Sequence, residues 1–275
     1  MDFLTLIQSF VLGIVEGLTE FLPVSSTGHL ILAGDLLRFD HPWSESFYIA
    51  IQAGAIVAVC WHYRARLIAI LLNLFKRGRE QRLAINIVGF LPAAFLGATL
   101  SGFVKSHFFN VFTVAIALVV GGLIILWIER RHEQKHITPR VMEVDDMSVK
   151  DAFAVGCMQC FALIPGTSRS GSTIIGGLIL GLSRKAATEF SFFLAIPTIF
   201  GATVWDLWQS RETLSVDSLP AISVGFVVSF LSAIVVVRWL LRYVSSNDFR
   251  VFGWYRIVFG IVILVAGYFG IGFEI

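Results

Sequence analysis

Outside the two interrupted regions taken up below, six stretches of this chain run for at least 16 residues without a charged or histidine side chain. They are Ser46–Trp61, Ala84–Val104, Phe108–Ile128, Phe190–Trp205, Leu219–Val237 and Ile257–Phe273. A helix that crosses a bilayer needs about 20 mostly apolar residues. Only such a helix, or a closed barrel, satisfies every backbone polar group in hydrocarbon. The runs therefore predict six spanning helices. Trp61, Trp127, Trp205, Trp239 and Trp254 fall near their ends, where indoles favour the membrane interface. Composition agrees: 56% of the 275 residues are hydrophobic and 15% charged, against about a quarter charged in a soluble domain. The net charge of +2 is too small to imply a nucleic-acid partner.

Two further apolar regions are interrupted. Phe3–Leu37 contains PVSSTGH, and Ala152–Leu182 contains PGTSRSG. Proline ends a helix and pushes the residue before it out of the α region. Each region thus predicts two short helices joined by a polar elbow. Irregular backbone at membrane depth survives only where protein or trapped water satisfies it. That favours re-entrant hairpins over the plainer alternative, a span at Asp2–Phe21 followed by an outside loop.

The two regions repeat each other. FVLGIVEGLTEFLPVSSTG (Phe10–Gly28) aligns with FAVGCMQCFALIPGTSRSG (Phe153–Gly171), with one residue dropped before the proline and one added after it. FYIAI (Phe47–Ile51) answers FFLAI (Phe192–Ile196). Each half then holds one hairpin and three spans, and an odd number of spans inverts the second half. The expected fold is an all-α integral membrane protein with an inverted-topology repeat, each half one re-entrant helix hairpin plus three transmembrane helices. It forms a single polytopic domain over residues 1–275. Repeat one covers about 1–128, a cytoplasmic loop 129–150, and repeat two about 151–275.

Charge sorts the two faces. With the first hairpin on one face, Arg38, Lys105 and Arg211 share that side and Arg169 sits in the second elbow; the other 17 of the 21 Lys and Arg, Arg256 among them, fall on the opposite side. A Lys and Arg excess marks the cytoplasm. Both termini are therefore expected to be periplasmic, and Glu129–Lys150 to be a solvated cytoplasmic loop. The CMQC pair, Cys157 and Cys160, has no second ligand pair and predicts two small lipid-buried thiols rather than a metal or redox site.

The elbows carry the chemistry. Glu16 and Glu20 share one helix face. Two buried carboxylates repel unless one is protonated or a cation lies between them. A divalent ion such as Mg²⁺ suits oxygen ligands, and it typically binds one or two carboxylates plus substrate phosphates. An interfacial pair at a helix end is the plainer alternative. Ser25, Ser26 and Thr27 precede Gly28 where the next helix begins, and a helix N-terminus is a natural phosphate seat. Ser and Thr are also ordinary N-caps. His29 lies within one turn of Ser25 and Ser26, and a serine beside a base is the plan of an activated nucleophile. In the second elbow Arg169 offers a fork that fits phosphate oxygens. Thr167, Ser168 and Ser170 add hydroxyls, and Gly166 and Gly171 keep the backbone permissive. An Arg at membrane depth must meet an anion: Glu16, Glu20 or a bound phosphate. Gln52 and Glu189 lie near the repeat seam as candidates to line the cavity.

EGLTEFLPVSSTGH and PGTSRSG, in this order and separation, resemble the undecaprenyl pyrophosphate phosphatases of the BacA type. The likeness covers nearly the whole chain, including TEFSFFLAIP after the second elbow. The resemblance implies a bacterial inner-membrane enzyme, open to the periplasm, that removes the terminal phosphate of undecaprenyl diphosphate. The product is the lipid carrier of peptidoglycan synthesis, and abundance confers bacitracin resistance. It also implies a divalent cation, Mg²⁺ or Ca²⁺, at Glu16 and Glu20. The catalytic positions fall on Glu16, Glu20, Ser26, His29 and Arg169. Phosphate contacts fall to Ser25, Thr27, Gly28, Gly166, Thr167, Ser168 and Ser170. The expected partners are the polyprenyl diphosphate and the bilayer, with a homodimer left open. The rival class is a transporter or flippase of a phosphorylated polyprenyl lipid, which broken inverted helices suit equally.

Overall fold

A computed structural model describes residues 2–72, 80–135, 137–209 and 216–268. Lys76, Arg77, Arg79, Arg211 and residues 269–273 of the last predicted span lie outside the described residues. The chain folds into eleven α-helices among the described residues, with three short 3-10 turns. They are α1 (Phe3–Thr19), α2 (Ser26–Leu36), α3 (Ser44–His62), α4 (Arg64–Leu72), α5 (Glu80–Phe108), α6 (Val111–Lys135), α7 (Val149–Gln159), α8 (Arg169–Ile179), α9 (Arg184–Gln209), α10 (Leu219–Tyr243) and α11 (Arg250–Tyr268). Five of them, α3, α6, α9, α10 and α11, are long and apolar enough to cross a membrane. Helix α5 counts as a sixth if its two arms, bent by 62° between Leu100 and Gly102, are taken as one span; a Ser–Gly pair is a common cause of such a kink. Each of these six overlaps one of the six uncharged runs.

The helices of the interrupted regions are shorter. α2 and α8 have 11 residues each, about 16 Å of helix, roughly half the thickness of a hydrocarbon core. Local chemistry sets their limits. The Asp2 carboxylate caps α1 by accepting from the Thr5 N–H at 2.9 Å. Ser148 and Asp151 close a reciprocal capping box at the start of α7, at 3.2 and 2.9 Å.

Packing pairs the two halves. α1 lies against α10, and its counterpart α7 lies against α5. α10 also packs on α3, and α5 on α9; α3 meets α9, and α6 meets α11. Exchanging each first-half helix for its second-half counterpart leaves this set of contacts unchanged. Matching glycines make the crossings close. A Cβ on Gly13 would lie 2.6 Å from the Gly225 carbonyl oxygen of α10, and one on Gly156 would lie 2.2 Å from that of Gly89 in α5. Small residues that let backbones approach are typical of helix contacts in membranes. The outer faces stay apolar: Ile116, Leu123 and Trp127 of α6 and Val258 and Ile261 of α11 are exposed. So broad a greasy surface suits lipid rather than water.

Two expectations need correction. The connection after α6 is not simply a solvated loop. Val141, Val144 and Met147 are buried, because the segment pairs its backbone with the α8–α9 turn, where the Ser183 N–H reaches the Val141 carbonyl at 2.8 Å. An ion pair between Arg140 and Asp151 holds it to α7. Arg256 is not a cytoplasmic surface charge either. α11 begins at Arg250, so Arg256 is nearly two turns inside the helix, and it is 1% exposed.

Candidate functional site

Both elbows form the same way. In the first, α1 runs out at Thr19 and the chain turns through Pro23, with the Val24 N–H closing on the Leu22 carbonyl at 2.8 Å. Ser25 then adopts φ 71°, and its hydroxyl accepts from the Gly28 N–H at 3.5 Å. In the second, a 3-10 turn at Cys160–Leu163 leads to Pro165, and the Thr167 N–H closes on the Ile164 carbonyl at 3.1 Å. Ser168 adopts φ 74° and accepts from the Gly171 N–H at 3.0 Å. A left-handed serine costs about 1–3 kcal/mol and persists only where its surroundings enforce it. Ser26 opens α2 and Arg169 opens α8. Each stands two residues before the matching glycine, so a hydroxyl and a guanidinium occupy equivalent places in the two halves.

The elbows meet at Glu20. Its Oε2 accepts from the Ser26 hydroxyl at 2.5 Å, and its Oε1 accepts from Arg169 Nη2 at 3.1 Å. Ser170 ties the second elbow to the first by donating to the Leu22 carbonyl at 2.7 Å. Arg169 Nη1 donates to the Ser191 carbonyl at 2.9 Å, and Ser191 is held in turn by the Thr173 hydroxyl at 2.7 Å. Phe21 lies under the guanidinium at 5.9 Å.

A cavity of about 180 Å³ opens over this junction. Glu20, Ser25, Ser26, Thr27, Gln52, Gly166, Ser168, Arg169 and Thr198 line it, with Ala162, Ile164, Pro165, Ile199 and Ala202 as its apolar wall. The structure thus brings together most of the residues singled out by sequence. Gly166 has to be glycine: its φ is +87°, and a Cβ would sit 2.4 Å from the Val114 carbonyl oxygen.

Others fall beside the cavity. Glu16 is wholly buried, and neither carboxylate oxygen has a hydrogen-bond partner. Gly28 packs towards Val114 of α6, where a Cβ would meet the Val114 side chain at 3.3 Å. Ser170 is spent on the joint between elbows, and Thr167 lines a different, apolar groove. Glu189 is absent from the lining and pairs loosely with Arg66 at 3.8 Å. His29 is also outside it. Its Nδ1 lies 2.7 Å from the Ser25 carbonyl, its Nε2 lies 2.6 Å from the Tyr255 hydroxyl, and its ring stacks on Phe259 at 4.2 Å. A carbonyl only accepts, so Nδ1 carries a proton, and in the neutral ring Nε2 accepts from Tyr255.

The residues present fit a divalent cation. Among the described residues no group of three His, Cys, Asp or Glu could hold one alone. Glu16 and Glu20 supply two carboxylates, one with both oxygens unpartnered, which matches an ion that takes its remaining ligands from phosphate and water.

Sequence reasoning missed Ser191, Thr198, Tyr255 and Arg256. For Arg256 a signal existed, since it interrupts an otherwise uncharged stretch, VFGWYRIVFGIVILV.

Comparison with known proteins adds an independent finding. A family model described as bacitracin resistance protein BacA matches residues 9–262. A protein of Herminiimonas arsenicoxydans named undecaprenyl-diphosphatase is 55% identical over 271 residues, covering 98% of both chains. Proteins of the same name from Ralstonia nicotianae and Nitrosomonas europaea are 54% and 55% identical, over 98% of this chain and 97% and 98% of theirs.

Proposed function

The chain belongs to the bacitracin resistance protein BacA family, and from that premise we propose that it removes the terminal phosphate of undecaprenyl diphosphate where its two elbows meet. It is a multi-pass membrane phosphatase, a hydrolase of a polyprenyl diphosphate. The observation that supports this site above all is Glu20, bound at once by Ser26 of its own elbow and by Arg169 of the other.

The residues divide the work. The terminal phosphate enters the 180 Å³ cavity against the first turns of α2 and α8, whose free N–H groups and dipoles favour an anion. Arg169 turns its fork from Glu20 to the phosphate oxygens and balances the charge that develops there. Such help is worth about 3–4 kcal/mol per donor. The Ser26 hydroxyl gives its proton to Glu20 and bonds to the terminal phosphorus. The anhydride P–O bond breaks, and undecaprenyl phosphate leaves. Glu20 passes that proton to the departing undecaprenyl phosphate, then takes a proton from the water that attacks the phosphoserine and returns it to the Ser26 oxygen as inorganic phosphate departs. His29 holds the elbow by its bonds to Ser25 and Tyr255 and acts through position. Glu16 and Glu20 would hold Mg²⁺ or Ca²⁺, which when bound supplies charge neutralisation for the diphosphate.

The prenyl chain lies in an apolar groove of about 650 Å³ between α6, α7 and α8. That groove shares Ile164 with the phosphate cavity.

The matched left-handed serines, the matched glycine crossings and the exchanged packing partners support an inverted repeat with two re-entrant hairpins. In this reading the enzyme sits in the bacterial inner membrane, opens to the periplasm and has both termini outside. Cysteines placed at residues 2 and 275 should then react with an impermeant reagent added to the periplasmic side; reaction from the cytoplasm alone would reverse the topology.

Broken helices also suit a flippase. Purified protein in detergent separates the two, since detergent leaves no sides to transport between. Release of phosphate from undecaprenyl diphosphate, lost with chelator, is the expected result. Binding without release would favour the carrier.

A further inference from the structure

Beneath the two elbows lies a cation that the chemistry above does not use. Arg256 of α11 is 1% exposed, and its five N–H donors reach five main-chain carbonyls. Nη1 donates to Pro23 at 3.1 Å and Thr167 at 3.0 Å; Nη2 donates to Gly166 at 3.0 Å and Ala117 at 3.1 Å; Nε donates to Leu118 at 3.3 Å. One planar group therefore joins the first elbow, the second elbow and α6. Its seat is built closely. A Cβ on Gly121 would lie 2.2 Å from Nη2.

A buried guanidinium held only by neutral dipoles is an expensive way to join helices, because desolvating the charge costs several kcal/mol and apolar packing would serve as well. The bonds it makes are specific in place. Pro23 lies two residues before the left-handed Ser25, and Gly166 and Thr167 immediately precede the left-handed Ser168. In a trans peptide the N–H points opposite to the C=O. Turning the Thr167 carbonyl to Arg256 therefore turns the Ser168 N–H away from it.

We propose that Arg256 is a positioning residue for phosphoryl transfer. It fixes both elbows to one support, so that Ser26 and Arg169 address the same phosphate. It touches no reacting atom. The inference rests on the phosphatase reading above, and turnover of the parent protein tests that reading separately: a parent that releases no phosphate sinks the reading before any variant is compared.

The test compares Arg256→Lys with the parent in detergent. Lysine keeps the charge but has three donors and no fork, so it cannot bridge both elbows. A displacement of about 1 Å costs roughly 100-fold in rate. The expected result is a folded protein by elution and melting, with kcat down about 100-fold and KM within about threefold. In Arg256→Ala, guanidinium at tens of millimolar should restore at least tenfold of the lost kcat, while methylammonium should not. Gly121→Ala supplies a second route should the lysine variant misfold: its methyl displaces Nη2 with the arginine still present, and kcat should fall in the same pattern. A folded Arg256→Lys or Gly121→Ala with kcat within twofold of the parent overturns the proposal. So does activity that falls only in step with the folded fraction and is not restored by guanidinium.

Discussion

The two elbows share a backbone and differ in their side chains. Both turn at a proline, set a serine at φ 71° or 74°, and cap a glycine N–H with that serine's hydroxyl. Both rest a matching glycine, Gly13 or Gly156, on a crossing helix. At the first helical residue, however, one presents Ser26 and the other Arg169. Three residues after the matching glycines, one has Glu16 and the other Gln159, which bonds neutrally to Thr198 at 3.3 Å. In the proposed mechanism the first elbow carries the groups that take part in bond making, and the second carries the fixed charge that orients the anion. In that reading one backbone plan holds two sets of chemistry, and each elbow supplies what the other lacks.

Ser26→Ala removes the proposed nucleophile, and it should cut phosphate release at least 10³-fold with binding of a non-hydrolysed analogue preserved. Near-normal release would leave water as the attacking group and reduce Ser26 to a binding contact. Arg169→Lys should cost about 100-fold in kcat, since a point charge cannot replace the fork; a loss under threefold would mean that the second elbow contributes only shape. Glu16→Gln makes the first elbow resemble the second. It should raise the Mg²⁺ concentration for half-maximal turnover about tenfold, and an unchanged metal titration would free Glu16 from that role. Gln159→Leu breaks the second elbow's own bond to Thr198. It should lower stability by about 1 kcal/mol, read as a small drop in melting temperature, with kcat within threefold. A larger loss in kcat than Glu16→Gln produces would mean that the division between the elbows is drawn in the wrong place.

Much of this was legible along the chain. The six uncharged runs became six long helices, because the period and length of a span are local properties. Pro23 and Pro165 marked the elbows for the same reason. Arg169 was expected to need an anion, and it found Glu20 across the repeat. The misses share a cause. Counting charges by face treats every Arg as a solvated end group, yet Arg256 is satisfied by five carbonyls from three distant segments. Carbonyls leave no mark in a sequence. The contacts of the His29 ring with Tyr255 and Phe259 on α11 were equally invisible, since Tyr255 lies 226 residues away. Val141 and Met142 looked like loop because their partner turn, at Gly181–Ser183, lies beyond the second elbow.

Trapping the covalent intermediate tests the central claim most directly. Undecaprenyl diphosphate labelled in its terminal phosphate is mixed with the enzyme, quenched in acid during turnover and digested, and the label is mapped. The account predicts label on the peptide containing Ser26, formed at least 100-fold more slowly in Arg169→Ala. Full turnover with no label on Ser26, or labelling indifferent to Arg169, would contradict it.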